Sequence, residues 1–282
     1  MSDDPATLLK TYFGYDTFKP GQRQVIEHLL AGRSAAAVFP TGGGKSLCYQ
    51  LPAMVLPGVT LVVSPLIALM KDQIDALATR GIPAQRLDST LDAGAYRDAM
   101  DRARRGDLRL LYVAPERFNN ERFRQVLDQL RVSLFAVDEA HCISEWGHNF
   151  RPDYLKLAGF AKAARAERVL ALTATATPEV LSDICHVFEV EPPCAVRTGF
   201  YRPNLTLLLT PTDEQQRDGQ LRERLAERPV GPTIVYVTLH RTAEQVAERL
   251  AEAGHQARAY HAGMDADKRN AVQEWFIQSN DG

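Results

Sequence analysis

The tightest constraint this chain places on its own fold is a short apolar run, Ala35-Ala36-Ala37-Val38-Phe39, that stops at Pro40-Thr41-Gly42-Gly43-Gly44-Lys45-Ser46. Residues 35–39 are short and apolar enough for a buried strand, and a helix can open at Leu47, so the glycines fall at a strand-to-helix turn. Gly42, Gly43 and Gly44 carry no Cβ. They can therefore take positive φ and let backbone N–H groups converge on phosphate oxygens, helped by the partial positive charge of a helix N-terminus. In such a loop Lys45 reaches the β- and γ-phosphates, and the Ser46 hydroxyl suits a magnesium ion that bridges the same oxygens. Phe39 stands where the general pattern has its first glycine. A glycine-rich turn that holds no ligand is the alternative reading of these residues alone.

A chain of 282 residues can bury a sizeable core and has the length of about two domains. Its formal net charge of -2 gives no overall basic character, so contact with nucleic acid has to come from local clusters. Cys48, Cys142, Cys185 and Cys194 are scattered, without the paired spacing of a zinc site or a disulfide framework, which fits a reduced, cytoplasmic setting. The opening Met1-Ser2-Asp3-Asp4-Pro5 is acidic and polar where a signal peptide is basic and then apolar. No apolar run reaches membrane-spanning length.

Proline-led helices are expected over residues 5–13 and 20–30, the second with Val25, Ile26, Leu29 and Leu30 on one face. Between them lies an aromatic, turn-rich segment that ends at Gln22. The Gln22 amide offers a donor and an acceptor to one edge of a purine base, while the aromatic residues beside it can equally serve as a hydrophobic staple on a helix. Beyond the glycines, strand-like runs at 59–63, 84–87, 109–113, 134–137 and 168–172 alternate with helix-like runs at 66–78, 93–105, 122–130 and 178–187. This alternation predicts an α/β fold with a parallel sheet and helices on both faces. Ligands of such sheets sit at the carboxyl ends of the strands. The residues there are polar: Ser64-Pro65, Ala114-Pro115-Glu116-Arg117, Asp138-Glu139-Ala140-His141 and Thr173-Ala174-Thr175.

At the end of the run Leu134-Phe135-Ala136-Val137, an aspartate can hold magnesium through its water shell, and the next residue, a glutamate, can orient and deprotonate the water that attacks a γ-phosphate. Taken alone, Asp138-Glu139 also reads as a helix cap with a first-turn acid. The glycine loop upstream tips the pair toward chemistry. Thr173 and Thr175 can couple the state of a nucleotide to a second ligand, or simply serve as caps ahead of Pro178. Farther on, Trp146, Phe150 and Tyr154 interleave with His148, Arg151 and Lys156 around Gly147 and Pro152. Stacking on unpaired bases explains such aromatics, worth about 1–3 kcal/mol per base, and packing onto their own domain explains them as well. Arg102, Arg104 and Arg105 form a basic run that reads as a solvated helix end.

These stretches together resemble the RecQ family of DNA helicases, superfamily two motors with a DEAH box. The resemblance is carried by residues 13–22, 40–49, 63–73, 138–154 and 171–177 in the family's order, and it runs from about residue 8 to 281. It implies two RecA-like lobes that use ATP and magnesium to translocate on single-stranded DNA and unwind duplex DNA from three-prime to five-prime, in repair and recombination. At matching positions it implies adenine contacts from Tyr15, Lys19 and Gln22, and phosphate and magnesium contacts from Thr41, Gly42, Gly43, Gly44, Lys45 and Ser46. Asp138 would hold the metal and Glu139 the attacking water. His141 would relay to DNA-coupling residues Trp146, Phe150 and Arg151, with Ser64 and Pro65 also on the nucleic acid. Lys19 stands where the family usually has Arg, which weakens planar stacking on the base. Glu145 and Asn149 replace a common Gln and a common Asp.

The resemblance places the first lobe at 1–204 and the start of a second at 205–282, past Thr198-Gly199-Phe200-Tyr201-Arg202-Pro203-Asn204. Helices are expected there at 220–227, 243–253 and 267–277, and strands at 233–237 and 257–260. The implied second lobe is incomplete, because the threonine-rich and arginine-bearing motifs that close the ATP site are not in this sequence. Weak turnover and exposed apolar strand edges are expected of the chain alone. Zinc is not expected. Two further readings stay open: a module that binds ATP and single strands without cycling, and a DEAH-type RNA motor.

Overall fold

The computed structural model describes residues 4–87, 91–144, 151–200 and 204–279. They fall into two compact units, residues 1–202 and 203–282.

The first unit is built on seven strands: β1 (Ala35–Val38), β2 (Val59–Val63), β3 (Ala84–Leu87), β4 (Leu110–Val113), β5 (Val132–Val137), β6 (Val169–Thr173) and β7 (Ala195–Arg197). Every pairing is parallel, in the order β3-β4-β2-β5-β6-β1-β7. Every residue of β1, β2, β4 and β5 is buried, which is why they read as continuous apolar runs rather than alternating ones. The edge strands differ: β3 is half-buried, and β7 has three residues, too few to announce itself in the sequence. The chain moves along the sheet one way from β1 to β3 and back from β3 to β7. Right-handed crossovers therefore place the two sets of connections on opposite faces.

Local chemistry fixes the helix ends. Asp4 accepts from Thr7 N at 3.1 Å, Pro5 opens the helix Pro5–Phe13, and Gly14 closes it at φ 73°. Asp92 accepts from the N–H groups of Gly94 and Ala95 at the start of Ala93–Arg105. At its far end Arg104 pairs with Asp101 and Arg105 with Asp107, both in solvent, so the basic run is a paired helix terminus. Phe39 explains its place in the glycine loop. Its ring is 1% exposed, and a Cβ on Gly21, itself at φ +78°, would lie 2.7 Å from it. The ring is thus a core contact that wedges the segment leading to Gln22 against β1.

In the second unit the helices Arg217–Glu227, His240–Glu252 and Ala266–Gln278 form within a few residues of expectation. The strands expected at 233–237 and 257–260 do not: both segments are without regular structure and no ladder joins them. A strand is stabilised by a neighbour's hydrogen bonds and by burial, and neither is supplied here among the described residues. Leu207, Leu209 and Tyr236 are about nine-tenths exposed. The apolar segments line a groove of about 580 Å³ with Leu250, Tyr260 and Phe276. Arg258 stacks over Trp275 at 4.4 Å. Among the described residues, no helix is long and apolar enough to cross a membrane.

Candidate nucleotide-binding site

The turn after β1 is held by the segment before the second helix, Gln22–Leu30. Gln22, 2% exposed, donates from Nε2 to Gly44 O at 2.9 Å and Gly43 O at 3.3 Å, and its Oε1 accepts from Lys19 N at 2.8 Å. Lys19 Nζ donates to Gly42 O at 2.7 Å. Three successive loop carbonyls are therefore drawn to Lys19 and Gln22. Gly42 and Gly44 have φ of 80° and 73°, and a Cβ on Gly44 would meet Gln22 Nε2 at 2.3 Å. One N–H, that of Gly43, is taken up by Pro40 O at 2.8 Å. Those of Gly42, Gly44, Lys45 and Ser46 have no partner among the described residues. Unpaired donors on consecutive glycine-rich backbone are what a phosphate group satisfies. In this arrangement both ends of the Gln22 amide are engaged by protein, Lys19 grips the loop, and Tyr15 lies half-exposed at the end of the preceding helix.

Lys45 Nζ rests 3.5 Å from Phe39 O, and its charge lowers the pKa of both Asp138 and Glu139. The ammonium thus lies on the side of the sheet where β5 ends. Asp138 is anchored by its N–H to Val63 O at 2.8 Å. Burial and the neighbouring Glu139 charge raise its carboxyl pKa to about 6, against the opposing pull of the Glu139 N–H at 3.0 Å and of Lys45. Ser64 is buried at the end of β2 with its hydroxyl unpaired, close enough to Asp138 to oppose part of that rise. Its neighbour Pro65 is part-exposed.

Glu139 has a left-handed backbone, φ 51° and ψ 41°. Only a few per cent of non-glycine residues have positive φ, and strain of this kind gathers at functional sites. Its Oε2 lies 3.2 Å from His141 Nδ1, which holds the Glu139 carboxyl below the usual range. His141 is raised to about 9 by the Cys142 thiol at Nε2 and by the Glu139 carboxylate, so it is an imidazolium at neutral pH. Nδ1 also lies 2.9 Å from Thr173 Oγ1, which donates to Thr175 O and accepts from Thr175 N. A continuous chain, Glu139 to His141 to Thr173 to Thr175, joins the end of β5 to the end of β6.

The structure therefore brings together the loop residues 41–46, Asp138, Glu139, His141 and Thr173 along adjacent strand ends. Arg151 is exposed, with its N–H on Cys142 O at 2.9 Å. Trp146 and Phe150 lie outside the described residues, as do Glu145 and Asn149. Tyr154 is fully buried, so for this aromatic the packing alternative holds. No sequence signal pointed to its hydroxyl contact, which is to Asp138 O at 3.2 Å. Equally unannounced is a buried polar chain behind the loop, in which Gln50 donates to Gln73 at 2.8 Å beside Tyr112 and Tyr49.

Magnesium is bound by one or two protein groups together with phosphate oxygens and water. Among the described residues no cluster of three or more His, Cys, Asp or Glu could hold a metal, whereas Ser46 and Asp138 supply the sparse oxygen set this ion takes. The donor set fits a magnesium nucleotide.

The DEAD/DEAH box helicase model matches residues 19–184, which include every one of these groups except Tyr15. The chain belongs to the DEAD/DEAH box helicase family. Within it, the chain is 40% identical over 273 residues to the ATP-dependent DNA helicase RecQ of Bacillus subtilis, covering 96% of this chain and 46% of that protein. It is 39% identical to the RecQ of Haemophilus influenzae, covering 97% and 44%. The chain thus spans under half the length of these relatives. Among solved helicases, the DNA-bound DUF1998 helicase MrfA aligns with 98% of the chain at TM-score 0.70 and 15% identity. Mycobacterium smegmatis Lhr, bound to ssDNA and AMP-PNP, aligns with 97% at 0.65 and 17%. At those identities the likeness is one of fold, a parallel α/β architecture of RecA-like helicase type.

Proposed function

We propose that this chain carries the nucleotide-hydrolysing part of a RecQ-like DNA helicase, acting on magnesium ATP and stimulated by single-stranded DNA. Residues 1–204 form its first RecA-like lobe and 205–282 the beginning of a second. The observation that carries this reading is the convergence of unpaired loop N–H groups, Lys45 and the Asp138-Glu139 pair at the ends of β1 and β5, the two strands that flank β6. Magnesium ATP supplies an electrophilic γ-phosphorus and a leaving group whose charge the metal offsets. The loop amides and Lys45 would bind the phosphate oxygens, while Ser46 and Asp138 would hold the metal. Glu139 orients water and takes its proton, and His141 holds the Glu139 carboxylate in place through Nδ1. Thr173 and Thr175 connect that pair to the neighbouring strand end, from which strain passes toward DNA contacts at Ser64, Pro65, Arg151, Trp146 and Phe150. Tyr15, Lys19 and Gln22 recognise adenine, for which the Gln22 amide exchanges its contacts with Lys19 N and the Gly43 and Gly44 carbonyls for the edge of the base. The 38–40% identity to RecQ and RecS helicases supports DNA as the track.

The test is ATP hydrolysis by the chain with and without single-stranded DNA, together with Glu139→Gln. DNA should stimulate turnover. The substitution should lower it by at least about a hundredfold while leaving ATP binding intact. Hydrolysis unaffected by Glu139→Gln would sink the assignment, and preferential stimulation by a matched RNA strand would favour an RNA motor instead.

A further inference from the structure

Tyr154 is 0% exposed and begins no chemistry of its own, yet its hydroxyl donates to Asp138 O at 3.2 Å. That carbonyl belongs to the peptide bond between Asp138 and Glu139. The same peptide's N–H, on Glu139, donates to Asp138 Oδ1 at 3.0 Å. Both ends of one peptide plane are therefore tied. The plane leads into Glu139 at φ 51°, a conformation that costs an L-residue energy and that a rotation of this peptide would relieve. Rotation would carry Asp138 O away from Tyr154 and the Glu139 N–H away from Asp138 Oδ1, releasing the backbone that presents the Glu139 side chain to His141.

We propose that Tyr154 is a positioning residue that, by gripping Asp138 O, holds Glu139 in its left-handed backbone and so aims the carboxylate. The proposal rests on the hydrolytic role given to Glu139 above, and extends it to a side chain sixteen positions after Asp138. Tyr154 lies in the short helix Pro152–Leu155, whose entry is fixed by Arg151 N on Cys142 O at 2.9 Å and Tyr154 N on Arg151 O at 2.9 Å. The grip thus ties the stretch after Arg151 to the acid pair. Burial holds the phenol protonated at every working pH, so it remains a donor.

Tyr154→Phe removes one oxygen and keeps the ring. Three readouts on the 282-residue chain test it: the urea midpoint, the His141 imidazole titration by NMR, and ATP turnover with its KM. The expected result is a folded protein in which the His141 midpoint lies below that of the parent chain, because the Glu139 carboxylate beside it is no longer held while the Cys142 contact at Nε2 remains. Turnover falls about tenfold at unchanged KM, the value of one hydrogen bond. The titration needs no nucleotide, so it separates the two ideas: if neither protein hydrolyses ATP but the midpoint still drops, the reading of hydrolysis fails and the positioning role stands. A His141 midpoint equal to that of the parent chain, or a loss of folding in Tyr154→Phe, overturns the proposal.

Discussion

Gly44 and Gln22 are mutually dependent, and their coupling can be measured. A methyl group on Gly44 meets two costs. The backbone there is left-handed, φ +73°, which costs an L-residue about 1–2 kcal/mol. The new Cβ would also lie 2.3 Å from Gln22 Nε2, so the amide must leave its contacts with Gly43 O and Gly44 O and with Lys19 N. Displacing that buried amide costs about 1–3 kcal/mol more. Gly44→Ala should therefore destabilise the fold by about 2–5 kcal/mol. Gln22→Ala alone loses only the amide's bonds, about 1–3 kcal/mol. In the double variant the clash is gone, so only the backbone strain adds to the Gln22 loss. The two single costs should exceed the double cost by about 1–3 kcal/mol. Urea denaturation followed by far-UV circular dichroism on all four proteins closes the cycle. Additive costs would show that Gln22 does not brace the loop, and that its burial has another cause.

Gly58 tests the same backbone logic far from the site: at φ +92°, a Cβ would lie 2.3 Å from Arg131 O, a main-chain atom that cannot turn away and that already accepts from Val59 N. Gly58→Ala should cost about 2–4 kcal/mol in urea midpoint terms and leave ATP binding unchanged. For His141 the folded pKa, about 9, lies above the ordinary 6.5. Its pairing therefore contributes stability that is complete below pH 6.5 and is lost as the pH rises through about 9. That interval sets a ceiling of about 3 kcal/mol, which urea titrations between pH 6 and 9.5 should reveal as a slope that His141→Gln flattens. A parallel slope in both proteins would remove His141 as its source.

Much of this protein was legible in its sequence because the signals are local. Strand-like runs marked six of the seven strands, five of them apolar and buried almost throughout, and proline marked the starts of the helices at Pro5 and Pro178. The glycines before Lys45, and the acids that end β5, stand where a parallel sheet exposes its strand ends. Those features come from steric freedom, side-chain period and charge, which each residue carries with it. The tertiary structure decided what depends on a distant partner. It turned Phe39 into the core against Gly21, committed the Gln22 amide to the glycine loop at one end and to Lys19 N at the other, and set the Tyr154 hydroxyl on Asp138 O. It also left 233–237 and 257–260 without ladders, since a strand is made by its neighbour as much as by its own residues. Likewise the opposite displacements of Asp138 and Glu139 come from burial and from His141, one set by the fold and the other by a left-handed turn that no pattern of residue types announces.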